Sequence, residues 1–379
     1  MKKAVLISDS FKHSLSSIEI CSVMEDAIKS VFPKCETIKL PISDGGEGLG
    51  DCFLTIFKGK KQTVKTVDPF GNAIESTYAL LENGTAVIEL ASSCGLRLVK
   101  GRPDPSIAST KGFGIVIRHA IESGSKKIIL GVGDSATNDG GTGLAMALGV
   151  RFYDRKNVGF FPNGSTLDQI TNISLNDLVK GIDKIDFLTL CDVKNPLYGP
   201  QGAAYVFGGQ KGADDKMIEM LDRNLRSYSQ FLLDKLGFST NYVGAGAAGG
   251  TSIATKLFLN SQVKSGINTI LNTIDFTSII KDADVVFTGE GRLDSQSFQG
   301  KVIDGIANYT AKAKVPLIAL VGQIRNINES DYPEGLTAVY PISGQTFDLE
   351  QAIRDTAKNL KSTMLNICHD WKKPISYDR

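Results

Sequence analysis

Apolar positions along this chain follow two different periods, and the change between them divides the sequence. Lys3 to Ser8 is a short apolar run of the kind that forms a buried strand. A polar turn over residues 10–15 leads to Ser16, which stands three residues before Glu19 in capping-box spacing. Ile20, Val23, Met24, Ala27, Ile28 and Val31 then share one helical face, and Pro33 predicts the stop. A second strand is predicted from Glu36 to Leu40. A second amphipathic helix follows, carrying Leu49, Cys52, Phe53, Ile56 and Phe57. This β-α-β-α grammar is that of a doubly wound layer.

Near Lys60 the period shortens. Thr63 to Val67, Ile74 to Leu81 and Thr85 to Leu90 read as antiparallel strands joined by turns at 68–71 and at Asn83-Gly84. Helix and strand alternate again within this stretch. Helices are predicted from Ile107 to Ile121 and from about Lys216 to Leu236, with strands from Lys127 to Leu130 and Asp186 to Cys191. From Ala283 the simple pattern returns: strands from Asp284 to Thr288, Leu317 to Val321 and Ala338 to Ile342, a helix near Lys301 to Ala313, and a closing helix to about His369. The prediction is an α/β fold of two domains. A discontinuous Rossmann-like domain, residues 1–65 and 283–379, has a doubly wound, mostly parallel sheet. A second, mixed α/β domain, residues 66–282, is inserted into it.

Charge and cysteine usage narrow the classes of function. Lys+Arg 42 against Asp+Glu 41 leaves a net charge of +1, so no broad basic field is available for nucleic acid or an anionic membrane. No apolar run is long enough to span a bilayer, and the first residues turn polar too soon for a secretory leader, so a cytoplasmic protein is expected. The 6 cysteines form no C-x-x-C pair and suit buried thiols. Neither a Ser-His-Asp order nor H-E-x-x-H is present, which disfavours triad hydrolase and zincin chemistry.

Glycine is the outlier, with 39 of 379 residues against an ordinary share of about 7%, and it is clustered. Asp44-Gly-Gly-Glu-Gly48 and Asp139-Gly-Gly-Thr-Gly143 share a pattern, and each is predicted to follow a strand and open a helix. Consecutive glycines let backbone N–H groups approach an anion, and the helix start adds partial positive charge. A tight turn with an Asp cap explains one such loop equally well; two of them point to a site. The second lies in a polar run, residues 131–143, of the kind a mere connection rarely needs. Asp192 stands at another strand tip, where a helix or turn cap is the competing explanation. A third cluster, residues 288–301, joins Gly289, Glu290, Gly291, Arg292, Asp294, Gly300 and Lys301. Fixed positive charge suits phosphoryl oxygens, and carboxylates suit Mg²⁺. It is not a P-loop, because Val302 follows Lys301, and no G-x-G-x-x-G dinucleotide fingerprint is complete. Residues 244–250, rich in Gly and Ala, form either an anion cradle or a close-packed turn.

Taken together, Asp9-Ser-Phe-Lys12, residues 41–48, 135–143, 192–197, 199–208 with Gln210-Lys-Gly212, 244–250 and 288–301 resemble the type-1 bacterial glycerate kinase family. The resemblance runs in order from about residue 4 to about 322. It implies ATP-dependent phosphorylation of D-glycerate by two α/β domains facing a cleft, with the 2-hydroxyl favoured over the 3-hydroxyl. The chain departs from the family at Asp134, where Gly is expected, at His13, and at residues 295–299. Residue chemistry then assigns roles. Asp192, Arg292 and Lys301 form the catalytic set, with Asp192 as base. Ser10, Lys12, Gly45, Gly46, Asn138, Gly140, Gly141, Asn195, Gly289, Gly291 and Gly300 bind glycerate and ATP. Asp44, Asp139 and Glu290 stand near Mg²⁺. The expected partners are these small molecules alone, without nucleic acid or membrane. A non-catalytic small-anion-binding protein and an NAD(P)-dependent dehydrogenase are the alternative readings.

Overall fold

The computed structural model describes residues 1–11, 14–42, 46, 48–298, 301–343 and 349–372. Its strands in chain order are β1 (Lys3–Ser8), β2 (Glu36–Pro41), β3 (Gly59–Val67), β4 (Ala73–Leu81), β5 (Thr85–Glu89), β6 (Lys127–Gly131), β7 (Arg151–Tyr153), β8 (Gly159–Phe160), β9 (Asn172–Ser174), β10 (Asp186–Leu190), β11 (Gln262–Lys264), β12 (Val285–Leu293), β13 (Leu317–Ile324) and β14 (Leu336–Pro341). The chain divides into two compact units, Met1–Asp44 with Ile267–Arg379, and Gly45–Gly266.

These divisions fall earlier in the chain than residues 65/66 and 282/283. The helix Leu49–Ile56 belongs with the second unit because the Glu89 carboxylate at the end of β5 accepts from Gly48 N at 2.9 Å and Gly50 N at 2.6 Å. At the other division, Ile267 packs so closely on Gly305 that a Cβ there would lie 2.6 Å from Ile267 Cγ1. Tyr309 donates to Asn272 Oδ1 at 2.7 Å, and the helices 266–273 and 302–313 are tied into the first unit. The change of hydrophobic period marks where strand geometry changes, whereas these contacts decide which unit a helix joins.

The sheet of the first unit has the order β14-β13-β12-β1-β2, with every neighbouring pair parallel. Counted within this sheet the order is 2-1-3-4-5, a common doubly wound arrangement whose direction of winding reverses between β1 and β12. The helices Ser17–Val31 and Thr356–Lys372 cover one face, burying Ile20, Met24, Ile28, Leu360 and Met364 against Leu6, Phe287 and Leu320. The capping box of Ser16 and Glu19 is formed at the start of the first of these helices. The helix Val302–Ala313, with Ile303 and Ile306 buried, also packs on β12, β13 and β14.

The second unit carries a mixed sheet, β11-β10-β6-β5-β4-β3, parallel from β11 to β5 and antiparallel from β5 to β3. The β3–β4 turn forms because Asp68 Oδ1 accepts from Phe70 N at 2.8 Å and Asn72 N at 2.9 Å. A small antiparallel sheet, β8-β7-β9, is added to this unit. Phe113, Ile117, Ile128, Leu144, Leu225 and Tyr228 lie in its core. Cys21, Cys35, Cys52, Cys94 and Cys368 are buried, and burial pushes the thiols of Cys21 and Cys94 up to about 12. Among the described residues no helix is long and apolar enough to cross a membrane.

Candidate active site

In the first unit a cavity of ≈ 410 Å³ opens at the C-terminal ends of β1, β12 and β13. This is the crevice where an open doubly wound sheet binds ligands, because the connections on its two sides part there. Of the predicted residues it brings together Ser10, Glu290, Gly291, Arg292 and Lys301. Arg292 Nε lies 3.1 Å from Asp294 Oδ2, with the guanidinium side chain 57% exposed. Lys301 precedes the helix Val302–Ala313 in an extended conformation, and its side chain does not cap that helix. Lys301 and Val302 both line the cavity, so the positive end of the helix dipole faces the same wall as Lys301.

The stretch around Gly289 and Gly291 proves to be strand. β12 continues beyond Thr288 to Leu293, paired in parallel with β13 as far as Arg292↔Gln323 and Leu293↔Ile324. Glycine permits this because the neighbours are close. A Cβ on Gly289 would lie 2.7 Å from Ser8 Oγ and 2.9 Å from the Leu320 carbonyl. Gly289 thus lets β1, β12 and β13 come together, and Glu290 and Arg292 project from a regular strand instead of a flexible loop.

In the second unit, the polar run after β6 is folded around Asp139. Its Oδ2 accepts from Thr110 N and Thr110 Oγ1, both at 2.8 Å, and from Gly143 N at 3.2 Å, while Oδ1 accepts from Gly141 N at 3.0 Å. Burial pushes this carboxyl's pKa up, and the surrounding donors oppose that shift. Donors surround both oxygens, the pattern of an ionised, acceptor-only carboxylate. Asp139 is a scaffold of this loop, with the acceptor capacity a metal would use engaged by protein. Gly140 and Gly141 have φ of 61° and 77°, and Gly140 N donates to the Gly249 carbonyl at 3.0 Å. Asn138 is 1% exposed, and its side-chain atoms have no partner among the described residues.

The turn at 244–250 packs against this loop. Gly249 has φ of 64°, and a Cβ there would collide with the Thr137 carbonyl. Gly246 N donates to the Asn195 carbonyl at 3.0 Å, so the same turn holds the loop after β10. Asn195 Nδ2 donates to Gln201 O at 2.8 Å. Asp192, at the tip of β10, accepts through Oδ1 from Ser265 Oγ at 2.9 Å and Gly266 N at 2.8 Å. These two bonds hold its carboxylate against the last residues of the second unit. Asp134, where the family pattern has Gly, adopts φ of 55°, a conformation that glycine takes without steric cost.

Gly46 is buried, while Lys12, Asp44, Gly45 and Gly300 lie outside the described residues. Among the described residues, no three of His, Cys, Asp and Glu are grouped as a metal-ligand set. Gln323 and Arg325 line the cavity of the first unit without any signal in the sequence motifs, and Asp9 and Asp294, which stand within those motifs without an assigned role, line it too. Arg325 was hidden because β13 was expected to end at Val321; continuing that strand by a few residues brings the chain to it. In the second unit Lys211 is buried beside the Asp139 loop, and its Nζ donates to Thr137 O at 2.7 Å. Its place within Gln210-Lys-Gly212 was the available signal.

A sequence model of the glycerate kinase family matches residues 4–372. The chain belongs to the glycerate kinase family. Over 373 residues it is 38% identical to a Bacillus cereus protein named glycerate kinase, covering 98% of each chain. It is 35% identical over 370 residues to a protein of Escherichia coli named glycerate 2-kinase, covering 96% of this chain and 97% of the other. A crystal structure described as glycerate kinase 2 from Salmonella typhimurium LT2 superposes with a TM-score of 0.84 at 35% identity, covering 98% of both chains. The mixed α/β architecture with parallel sheets is therefore that of the family.

Proposed function

We propose that the protein phosphorylates D-glycerate with ATP to give phosphoglycerate, favouring the 2-hydroxyl. The observation that carries this reading is the likeness, over nearly the whole chain, to proteins named glycerate kinase and glycerate 2-kinase. The cavity chemistry supports it. Phosphoryl transfer asks a protein mainly for positioning and for neutralisation of charge on the transferred group. Arg292, Lys301 and Arg325 supply positive charge in one crevice, and Asp9, Glu290 and Asp294 line the same space. Of the three acids expected near Mg²⁺, Glu290 suits an ion that arrives with ATP as part of the substrate, since such an ion needs only one or two protein carboxylates. Asp192 is assigned the proton of the attacking hydroxyl, and its Oδ1 contacts hold the carboxylate in a defined orientation. Lys12, Gly45 and Gly300 keep their proposed place among the binding residues.

The net charge of +1 favours small-molecule partners over nucleic acid, and a cytoplasmic location agrees with this chemistry. The test mixes the protein with MgATP and D-glycerate and follows ADP release, with phosphorus NMR of the product. Release of ADP with a signal from a 2-phosphate ester is expected. Failure to turn over any small hydroxy acid would refute the proposal.

A further inference from the structure

We propose that the crevice of the first unit, at the ends of β1, β12 and β13, takes the nucleotide and not the hydroxy acid. This inference rests on the kinase reading above and adds which substrate occupies this cavity. Its ≈ 410 Å³ lies in the range that encloses a drug-sized ligand, far more than a three-carbon acid fills. The composition of the walls separates the candidates further. Phe11, Val302 and Ile342 are buried side chains that line the cavity, and Ala352 and Ile353 join them from the short helix Leu349–Arg354. Glycerate bears a carboxylate or hydroxyl on every carbon and has no surface to cover such a wall. A nucleotide has a flat, weakly polar base that does.

The charged part of the lining fits the other end of the same molecule. Arg292 and Arg325 line the cavity from the ends of β12 and β13, and Lys301 lies at the start of the helix Val302–Ala313. Guanidinium groups form paired charge-assisted contacts to phosphate oxygens, and the helix start adds main-chain donors. Ser343 and Thr356 also line the cavity, supplying hydroxyls of the kind that orient an otherwise apolar ligand. An apolar wall, a few hydroxyls and three cations, together with the acids Asp9, Glu290 and Asp294 that a nucleotide-borne Mg²⁺ would meet, describe a nucleoside polyphosphate carrying its metal.

The test titrates the full chain with MgADP by calorimetry and measures steady-state kinetics, for wild type, Ala352→Phe and Arg325→Ala. The first variant fills the apolar side. The second removes an exposed cation, so it decides the matter even if Ala352→Phe does not fold. The expectation is a rise of ~10-fold or more in the Kd for MgADP and in KM for ATP, with KM for D-glycerate within ~2-fold of wild type. Unchanged MgADP affinity together with a raised KM for D-glycerate would overturn the assignment while leaving the kinase reading intact. Wild-type binding of MgADP that both variants weaken, without turnover of any hydroxy acid, would sink the kinase reading and leave the cavity assignment standing.

Discussion

The ammonium nitrogen of Lys211 lies 2.7 Å from the carbonyl oxygen of Thr137, in a side chain only 3% exposed. Burial lowers its pKa from the ordinary lysine value of 10.5 to about 8, although the charge of Asp139 opposes the shift. Between about 8 and 10.5 the unfolded chain therefore holds more protons at this residue than the folded one. The contribution of Lys211 to stability rises with pH across that window and is least favourable below it. Buried thiols such as Cys21 and Cys94, pushed up to about 12, act in the opposite direction above pH 9. The informative quantity is thus the difference between wild type and Lys211→Met in urea denaturation. That difference should move in favour of wild type between pH 8 and 10; a flat difference would show that Lys211 stays protonated.

Asp139→Asn tests whether this acid is a scaffold. The amide would turn an NH₂ group towards backbone donors that now meet an oxygen, with no other acceptor provided for it. A loss on the order of 3 kcal/mol in unfolding free energy is expected. A variant of wild-type stability whose turnover is restored by added Mg²⁺ would return Asp139 to a metal-binding role.

Gly249→Ala should cost about 3 kcal/mol or more. A φ of 64° already disfavours any L side chain, and the added methyl would collide with the Thr137 carbonyl. Because that contact belongs to the loop of Asn138 and Asp139, KM should worsen along with the melting temperature. A variant that melts like wild type would mean the 244–250 turn adapts its backbone.

Local signals explain what the sequence revealed. The capping box at Ser16, the apolar stripe from Ile20 to Val31 and the Asn83-Gly84 turn each depend on a few adjacent residues, and all are present in the structure. β11 and the β7–β9 sheet escaped because strands of two or three residues carry no measurable period. β12 was read too short for a different reason. Gly289 and Gly291 look like a loop in one dimension, and only the approach of β1 and β13 shows why glycine is needed in a strand. The residues of the cavity were partly legible, since Arg292 and Lys301 stood in a conspicuous cluster. Arg325 was not, and in the second unit the motif Gln210-Lys-Gly212 pointed to Lys211 without its burial, because strand length and burial are set by tertiary packing.

Arg292→Ala separates activity from stability. In its ion pair with Asp294 the arginine is 57% exposed and screened by solvent while the acid is 22% exposed, so stability should change by about 1 kcal/mol or less. A lost contact to a phosphoryl oxygen, worth roughly 1.5–3 kcal/mol, should lower kcat/KM by ~10- to 150-fold. Wild-type kinetics would place Arg292 outside the chemistry.

Asp192→Asn keeps an oxygen where Asp192 Oδ1 now accepts from Ser265 Oγ and Gly266 N, so both of these contacts should persist. The substitution removes the negative charge and its capacity to take a proton, and leaves side-chain volume almost unchanged. If Asp192 accepts the proton of the attacking hydroxyl, kcat should fall by ~10²–10⁴ while the Kd for MgADP stays near wild type. Recovery of the rate at high Mg²⁺ would instead identify a metal-side acid, because the loss would then lie in occupancy and not in proton transfer. Undiminished kcat at every Mg²⁺ concentration would leave Asp192 as a structural acceptor for Ser265 and Gly266 alone and move the base assignment to Glu290, the acid that β12 carries into the cavity.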